Sequence, residues 1–409
     1  MLSFADIDIV QLGIISVASL AVAYGLVFCA QFVPRFYGQP STINAVQSAH
    51  SSATPRVGGI AIFSALVLSV LFVPADVVTA HVKFFAAALI LFGAGLAEDL
   101  GFGISPRWRL AAAVVSSFAV VLALNIYIPR LNIPYLDGVI SFWVVGVCAT
   151  LFVTAAVANA FNLIDGVNGL SGFTGILAAM SLAGISAAVG NEAIFALSTM
   201  LAAAVFGFLL VNYPKGRIFL GDAGAYTMGF VLSWFGIALL NSSPEVSAWA
   251  ILLTVYWPLC DTLLAIYRRS KSKKDKMAPD RLHAHQLVMR SLEIMVLGRD
   301  KRHLANPLST AILAPFVAMP PMVAVLFWDK PLFSFVAAVV FLGLFWGSYF
   351  AAGSVVRRYR LRQAIASVGP RPRKPVLYVP PVMPPSTNKP VVHVANVALP
   401  HKTLEAVRR

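Results

Sequence analysis

Residues 193–211 read AIFALSTMLAAAVFGFLLV, without one charged side chain. An α-helix needs about 20 mainly apolar residues to cross the hydrocarbon core of a bilayer, and this run supplies them. Polar sequence begins on both sides, with Asn191-Glu192 before it and NYPKGRIFLGDAGA (212–225) after it. The next apolar run then starts at once. Reading outward, similar runs occupy 9–33, 57–75, 82–97, 109–128, 139–160, 169–190, 223–241, 247–267, 308–328 and 332–352, about eleven spans in all. Unbroken runs are not the alternating pattern of a transmembrane β-barrel. The expected fold class is therefore all-α, a polytopic integral membrane bundle.

Composition agrees. Of 409 residues, 59% are hydrophobic and only 12% charged, where a soluble domain carries about 25% charge. A net charge of +14 would suggest nucleic acid in a soluble protein. Here the charge sits in loops between apolar runs, so the bilayer is the expected partner and nucleic acid is not. Every Lys and Arg except Lys83, Arg130 and Lys330 lies in or beside a loop that follows an odd-numbered span, or in the tail. By the positive-inside rule those loops are cytoplasmic, the N-terminus is periplasmic and the C-terminus cytoplasmic. The protein then sits as a multi-pass chain in the cell (inner) membrane. Asp6 and Asp8 precede an apolar run too long for a signal-peptide core, so the first span reads as uncleaved. Cys29, Cys148 and Cys260 lie inside apolar runs without metal or disulfide spacing. The expected division is a transmembrane domain over 1–356, including a basic loop at 268–307, and a basic, Pro-rich tail over 357–409 whose composition predicts disorder.

Six polar motifs fall on the side that the charge count makes cytoplasmic. HSSATPRVGG (50–59) offers Arg56 and backbone N–H groups made accessible by glycine, a phosphate-holding combination. AEDLGFGISPRWRL (97–110) places Glu98 and Asp99 at the end of a span; paired acids there bind a divalent cation or accept a proton. NAFNLIDGVNGL (159–170) sets Asn159 and Asn162 on one face of a helix end, followed by Asp165 in a turn. NYPKGRIFLGDAGA puts Asp222 at a helix start, as a cap or as a metal ligand beside a phosphate. WPLCDTLLAIYRR (257–269) holds Asp261, read equally as a salt link to a loop arginine or as a site residue, and Pro258, expected to kink its helix. PDRLHAHQL (279–287) carries His283 and His285, whose spacing suits phosphate contacts better than zinc. Charged groups at membrane depth are costly, so their gathering on one side points to a single site. Acids mixed with Arg, Lys and His suit a phosphate ester with Mg²⁺, while no Walker or kinase motif implies ATP.

Together, TPRxGG, the acidic pair, NxxNxxDGxxGL, FLGDAG and the His-x-His loop resemble the polyprenyl-phosphate N-acetylhexosamine-1-phosphate transferases over roughly residues 50–290. The resemblance implies transfer of a sugar 1-phosphate from a UDP-N-acetylhexosamine to undecaprenyl phosphate, with release of UMP and Mg²⁺ (or Mn²⁺) as cofactor. It implies a role for Asp99 near the lipid phosphate and for Asp222 as Mg²⁺ ligand, with Asp99 a second metal ligand and Glu98 and Asp165 within the catalytic set. It places Asp165, Asn212 and Phe219 along the nucleotide pocket, with Asn159 and Asn162 beside it. Arg56, His283 and His285 resemble contacts to pyrophosphate or sugar. Three positions depart from the family pattern: Glu98 for the first Asp of a pair, Asn168 for an Asp after Asp-Gly, and Gln286 for a further His. They fit a branch that starts O-antigen, capsule or exopolysaccharide chains. A homodimer is compatible with this reading. The competing readings are a transporter or flippase for lipid-linked or nucleotide sugars, which calls for charges near mid-membrane and inverted repeats, and a scaffold acting through 268–307 and the tail.

Overall fold

A computed structural model describes residues 9–38, 54–271 and 282–367. His50 and part of the basic loop lie outside these residues, as does the tail beyond Ser367. Among the described residues the chain is helical throughout, with no strand.

In chain order the helices are α1 (Ile9–Cys29), α2 (Gly59–Leu68, prolonged by a 3₁₀ turn to Leu71), α3 (Val78–Asp99), α4 (Pro106–Leu124), the short α5 (Leu136–Ile140), α6 (Trp143–Ile164), α7 (Leu170–Ala188), α8 (Glu192–Asn212) and α9 (Gly221–Ser242). They are followed by α10 (Ala248–Thr254), α11 (Tyr256–Lys271), α12 (Ala284–Leu292), α13 (Arg302–Leu326) and α14 (Pro331–Ser367). Nine of these are long and apolar enough to cross a membrane. The expected second span is the shorter apolar helix Gly59–Leu71, and the ninth is α10 and α11 together, bent by 83°. The eleven apolar runs thus become, among the described residues, nine helices of spanning length and composition, one broken pair and one short helix.

The break falls at Val255 rather than at Pro258. The proline sits in the first turn of α11, where its missing N–H would have no helical partner anyway. It therefore starts a new helix instead of kinking a continuous one. Nothing in FLGLFWGSYFAAGSVVRRYRLRQ breaks a helix, so α14 runs through Arg357, Arg358, Arg360 and Arg362 to Ser367. At 1.5 Å per residue a helix of 37 residues is about 55 Å long, well beyond a core of about 30 Å. Its arginine-rich end therefore continues as helix rather than as the start of an irregular tail.

Helix α9 is the axis of the bundle. All of its residues but Ala238, Asn241 and Ser242 are buried, and it packs against α2, α3, α6 and α7. Trp234, Tyr226 and Phe230 are among the largest fully buried side chains. Its C-terminal end is tied down by Arg130, whose guanidinium donates to the carbonyls of Leu240 (2.8 Å), Ser243 (2.9 Å) and Val246 (2.7 Å). A cation on terminal carbonyls is favoured by the helix dipole. The other end of α9 carries the candidate site.

Candidate active site

The segment before α9 and the segment before α2 are zipped together through the backbone. Phe219 N–H donates to Pro55 O (2.8 Å), Gly58 N–H to Phe219 O (2.9 Å) and Gly59 N–H to Leu220 O (2.8 Å). This joins TPRVGG to FLGDAG. The contact is backbone on backbone: a methyl on Gly59 would lie 2.3 Å from Gly224 N, and one on Gly95 would lie 2.7 Å from Ala223 Cα and N. Only glycine permits helices α2 and α3 to approach α9 so closely.

That approach brings Asp99, at the end of α3, onto the first turn of α9. Its carboxylate accepts Asp222 N–H and Ala223 N–H, both at 2.8 Å, and the residue is 1% exposed. The expected metal-ligand role for Asp99 therefore meets a competitor within the chain, since each oxygen is already spent on an unpaired helix-terminal N–H. Asp165, in the turn after α6, faces Gly221 N–H on the same helix end. Part of its surface reaches solvent, yet burial pushes its carboxyl up to about 7, against the downward pull of Arg56 and of that N–H.

Asp222 itself points to cations. Its Oδ1 lies 3.5 Å from Arg56, and its other oxygen pairs closely with Arg109. Arg109 lies with its guanidinium 5.8 Å from the centre of the Tyr226 ring, and the Tyr226 hydroxyl donates to Asn159 Oδ1 at 3.2 Å and interacts with Asn162. Arg56 is within electrostatic reach of Asp99 and Asp165 as well. The three acids and two arginines, from the segment before α2, from α3, α4, the α6–α7 turn and α9, thus meet at one helix end. Glu98 lies beside them with Oε2 buried and without a hydrogen-bond partner. Arg109 was visible in the sequence as a basic residue near the acidic pair. Nothing in its spacing announced a partner more than a hundred positions away.

Other expected residues serve the frame. Asn212 is buried and bridges two loops, accepting Gly169 N–H at 2.7 Å and donating to Ile218 O at 2.7 Å. Its amide is used within the protein rather than turned to a pocket. Phe219 contributes its backbone to the α2 junction, and its side chain is half-buried. Asn168 donates to Pro214 O at 2.8 Å, its own N–H is held by Asn306 Oδ1 at 2.7 Å, and its carbonyl accepts from Thr310. An aspartate cannot make the first of these bonds, which accounts physically for the departure from Asp at this position.

The His loop joins the site from the far side of the chain. Asp261, fully buried in α11, accepts from His283 Nδ1 at 2.9 Å and from Ala284 N–H at 3.0 Å. Its partner is thus a histidine, not the loop arginine expected as one alternative. The rings of His283 and His285 are near-parallel, with centroids 5.8 Å apart. His285 is 1% exposed, and neither ring nitrogen has a hydrogen-bond partner. It presses on the turn after Asp165, where a methyl on Gly166 would stand 2.2 Å from His285 Nε2. Burial pulls the His285 imidazole down to about 4 despite Asp261 nearby, so it is neutral at pH 7. The ring can therefore act as a hydrogen-bonding group rather than as a cation.

Residues 81–240, which contain Asp99, Asp165, Asp222 and Arg109, match the family model described as glycosyl transferase family 4. Over that segment the chain is similar to this family. Among its relatives, the "Probable undecaprenyl-phosphate N-acetylglucosaminyl 1-phosphate transferase" of Bacillus subtilis is 28% identical over 259 residues, covering 61% of this chain and 69% of the relative. The "Decaprenyl-phosphate N-acetylglucosaminephosphotransferase" of Mycolicibacterium smegmatis is 26% identical over 274 residues, covering 59% and 66%. The "Undecaprenyl-phosphate alpha-N-acetylglucosaminyl 1-phosphate transferase" of Escherichia coli K12 is 25% identical over 251 residues, covering 59% and 67%. The matched part of the chain spans about two thirds of the length of these relatives. Arg56, Asp261 and the two histidines lie outside the family-matched segment, yet they are folded against it.

Proposed function

We propose that this protein transfers an N-acetylhexosamine 1-phosphate from a UDP-sugar to undecaprenyl phosphate and releases UMP, starting a cell-surface polysaccharide such as O-antigen, capsule or exopolysaccharide. The reaction takes place at the cytoplasmic face of the inner membrane. The observation that carries this reading is the meeting of Asp99, Asp165 and Asp222 with Arg56 and Arg109 at the N-terminus of α9. Such a site holds phosphate oxygens and neutralises charge as a phosphoryl group moves.

In the reaction an oxygen of the lipid phosphate forms a bond to the phosphorus that bears the sugar, and the anhydride bond to UMP breaks. One anhydride replaces another, so the equilibrium is nearly balanced and later use of the lipid product draws it forward. Arg56 and Arg109, released from Asp222 when a diphosphate enters, are suited to its non-bridging oxygens. Asp99 holds the first turn of α9 in place, which fixes Asp222. The neutral His285 donates or accepts a hydrogen bond beside the Asp165 turn.

Among the described residues no group of three or more His, Cys, Asp or Glu is arranged to hold a metal ion. Mg²⁺ needs less, commonly one or two carboxylates plus substrate phosphates and water. Asp222 and Asp165 are hard oxygen donors at one helix end and fit that requirement. They are the residues that would hold the ion, with Mn²⁺ as a substitute. When bound, the ion screens the diphosphate charge.

The test is to incubate membranes containing the protein with undecaprenyl phosphate and a series of radiolabelled UDP-N-acetylhexosamines. The expected result is stoichiometric UMP and labelled lipid from one donor. Uptake of donor into vesicles without UMP would sink the transferase reading and favour a transporter.

A further inference from the structure

Asp261 lies outside the reacting cluster, and the proposed chemistry gives it no part. It is nonetheless a buried acid with both oxygens satisfied. It is 0% exposed, and its two oxygens are divided between His283 Nδ1 (2.9 Å) and the Ala284 N–H that opens α12 (3.0 Å). A third neighbour, His285 Nδ1, stands 4.0 Å away. Burying a carboxylate is expensive unless its partners are well placed. Here all the partners belong to one short stretch, the His-Ala-His sequence. That stretch is distant in sequence from the Asp165 turn: His283 caps α12, and Ala284 and His285 are its first two residues. Yet His285 ends against Gly166, at a separation that only a glycine there allows.

Building on the transferase reading, we propose that Asp261 is a positioning residue, which docks the His283–His285 stretch onto the Asp165–Gly166 turn and sets the tautomer of His283. The carboxylate accepts a hydrogen bond from Nδ1–H, which places the proton on that nitrogen and turns Nε2 of His283 away from Asp261. The bond to Ala284 N–H fixes the height of the stretch. The near-parallel stacking of the two rings, 11° apart, passes that constraint to His285. Asp261 itself touches neither the reacting acids nor their arginines among the contacts described above.

Outer partners that orient a functional histidine are worth about 10- to 100-fold. The test uses the purified full chain in detergent with two readouts. The first is carbethoxylation of individual histidines by diethyl pyrocarbonate, followed by mass spectrometry. His283 and His285 are buried and His303 is exposed, so His303 serves as the internal standard. In Asp261→Ala, labelling of His283 and His285 should rise at least about 10-fold relative to His303. Asp261→Asn keeps an acceptor for Ala284 N–H, and should protect His285 while placing the wrong partner opposite His283. It is also the variant to read if Asp261→Ala does not fold. The second readout is UMP release in a double-mutant cycle. Asp261→Asn should lower kcat/KM by about 10- to 100-fold in the parent and change it little in a His283→Ala background. Unchanged labelling in both variants overturns the proposal, whatever the turnover of the parent. Additive losses in the cycle overturn it too. If the parent releases no UMP while labelling responds as expected, the transferase reading fails and the positioning role stands.

Discussion

A methyl group on Gly95 should disable the site from one helical turn away. In Gly95→Ala the new Cβ would lie 2.7 Å from Ala223 Cα and N and 2.9 Å from Asp222 C, all of them backbone atoms that cannot rotate aside. Ordinary contact begins at 3.4 Å, so α3 and α9 must part by roughly 0.7 Å here, since packed interiors offer little other slack. Asp99 stands four residues further along α3, on the same face. The same displacement would stretch its bonds to Asp222 N–H and Ala223 N–H from 2.8 Å to about 3.5 Å, the outer limit of a hydrogen bond. Overpacking costs about 1–3 kcal/mol, and each hydrogen bond to a charged group is worth about 1.5–3 kcal/mol. A loss of about 2–4 kcal/mol follows if the bonds weaken without breaking. Gly93→Ala is the matched control on the same helix. Nothing lies within 4 Å of its Cβ, and alanine in a helix gains about 0.5–1 kcal/mol over glycine. Thermal unfolding in a single detergent, followed by UMP release from the surviving protein, separates the two. Gly95→Ala should melt lower and lose turnover, and Gly93→Ala should match or exceed the parent in both. Equal melting temperature and turnover for the two variants would refute the idea that glycine-mediated contact holds Asp99 in place.

Three further outcomes are expected. Asp222→Asn should cut UMP release by about 10²- to 10³-fold, the scale of a lost electrostatic group in a dry site, with helical content by circular dichroism retained; turnover within tenfold of the parent would remove Asp222 from the reaction. The carboxyl of Asp165, pushed up to about 7, should be half-protonated near neutrality in the free protein, so kcat/KM should rise through an acid limb near pH 7 that Asp165→Asn flattens. The stability sign runs the other way: a carboxyl raised in the folded state favours folding below its unfolded value of 3.8 and loses that contribution as pH climbs through 7, so unfolding of the substrate-free protein should become easier across that window, and a flat profile would refute the shift. Asn168→Asp sets a carboxylate oxygen against Pro214 O in place of a 2.8 Å donated bond, which should lower stability by about 1–3 kcal/mol, measurable as a lower melting temperature. A neutral result there would undo the explanation offered for this departure from the family pattern.

The helices were legible because lipid tolerates nothing else: runs such as 193–211 must be continuous, apolar and long. The motifs were legible because acids and glycines at span ends are expensive or permissive in ways that packing alone seldom requires. Pairing was hidden. Asp99 and Asp222 are both carboxylates at helix ends, and their order in the chain does not say that one would cap the other's helix while the other takes the arginines. Asp261 and His283 lie 22 positions apart across a basic loop, and the nearer cations made an arginine the natural expected partner. The break at Val255 was hidden because Pro258 drew attention to itself, although a proline in a first turn is harmless. The helical reach of α14 beyond Arg357 was masked by its charge, which marks a membrane edge but does not end a helix.

The charge balance of the assembled site leads to a stricter conclusion than the motifs did singly. Asp99, Asp165 and Asp222 face Arg56 and Arg109 with Glu98 beside them, and His285 is neutral at pH 7, so with every acid ionised the cluster carries two negative charges too many. A nucleotide diphosphate brings more negative charge into the same desolvated space, where repulsion is screened less than in water. Entry of such a donor therefore requires compensation from within the cluster or from outside it. Asp165, poised near neutrality, supplies one route by holding its proton; a divalent cation shared between the carboxylates and the phosphates supplies the other. The two routes compete for the same oxygens, so each proton on Asp165 opposes a cation at Asp222. Raising the Mg²⁺ concentration should consequently move the acid limb of kcat/KM to lower pH, in step with cation occupancy. A limb that stays fixed while Mg²⁺ is varied over a wide range would show that the proton and the cation do not share this site, and that the excess charge is balanced elsewhere.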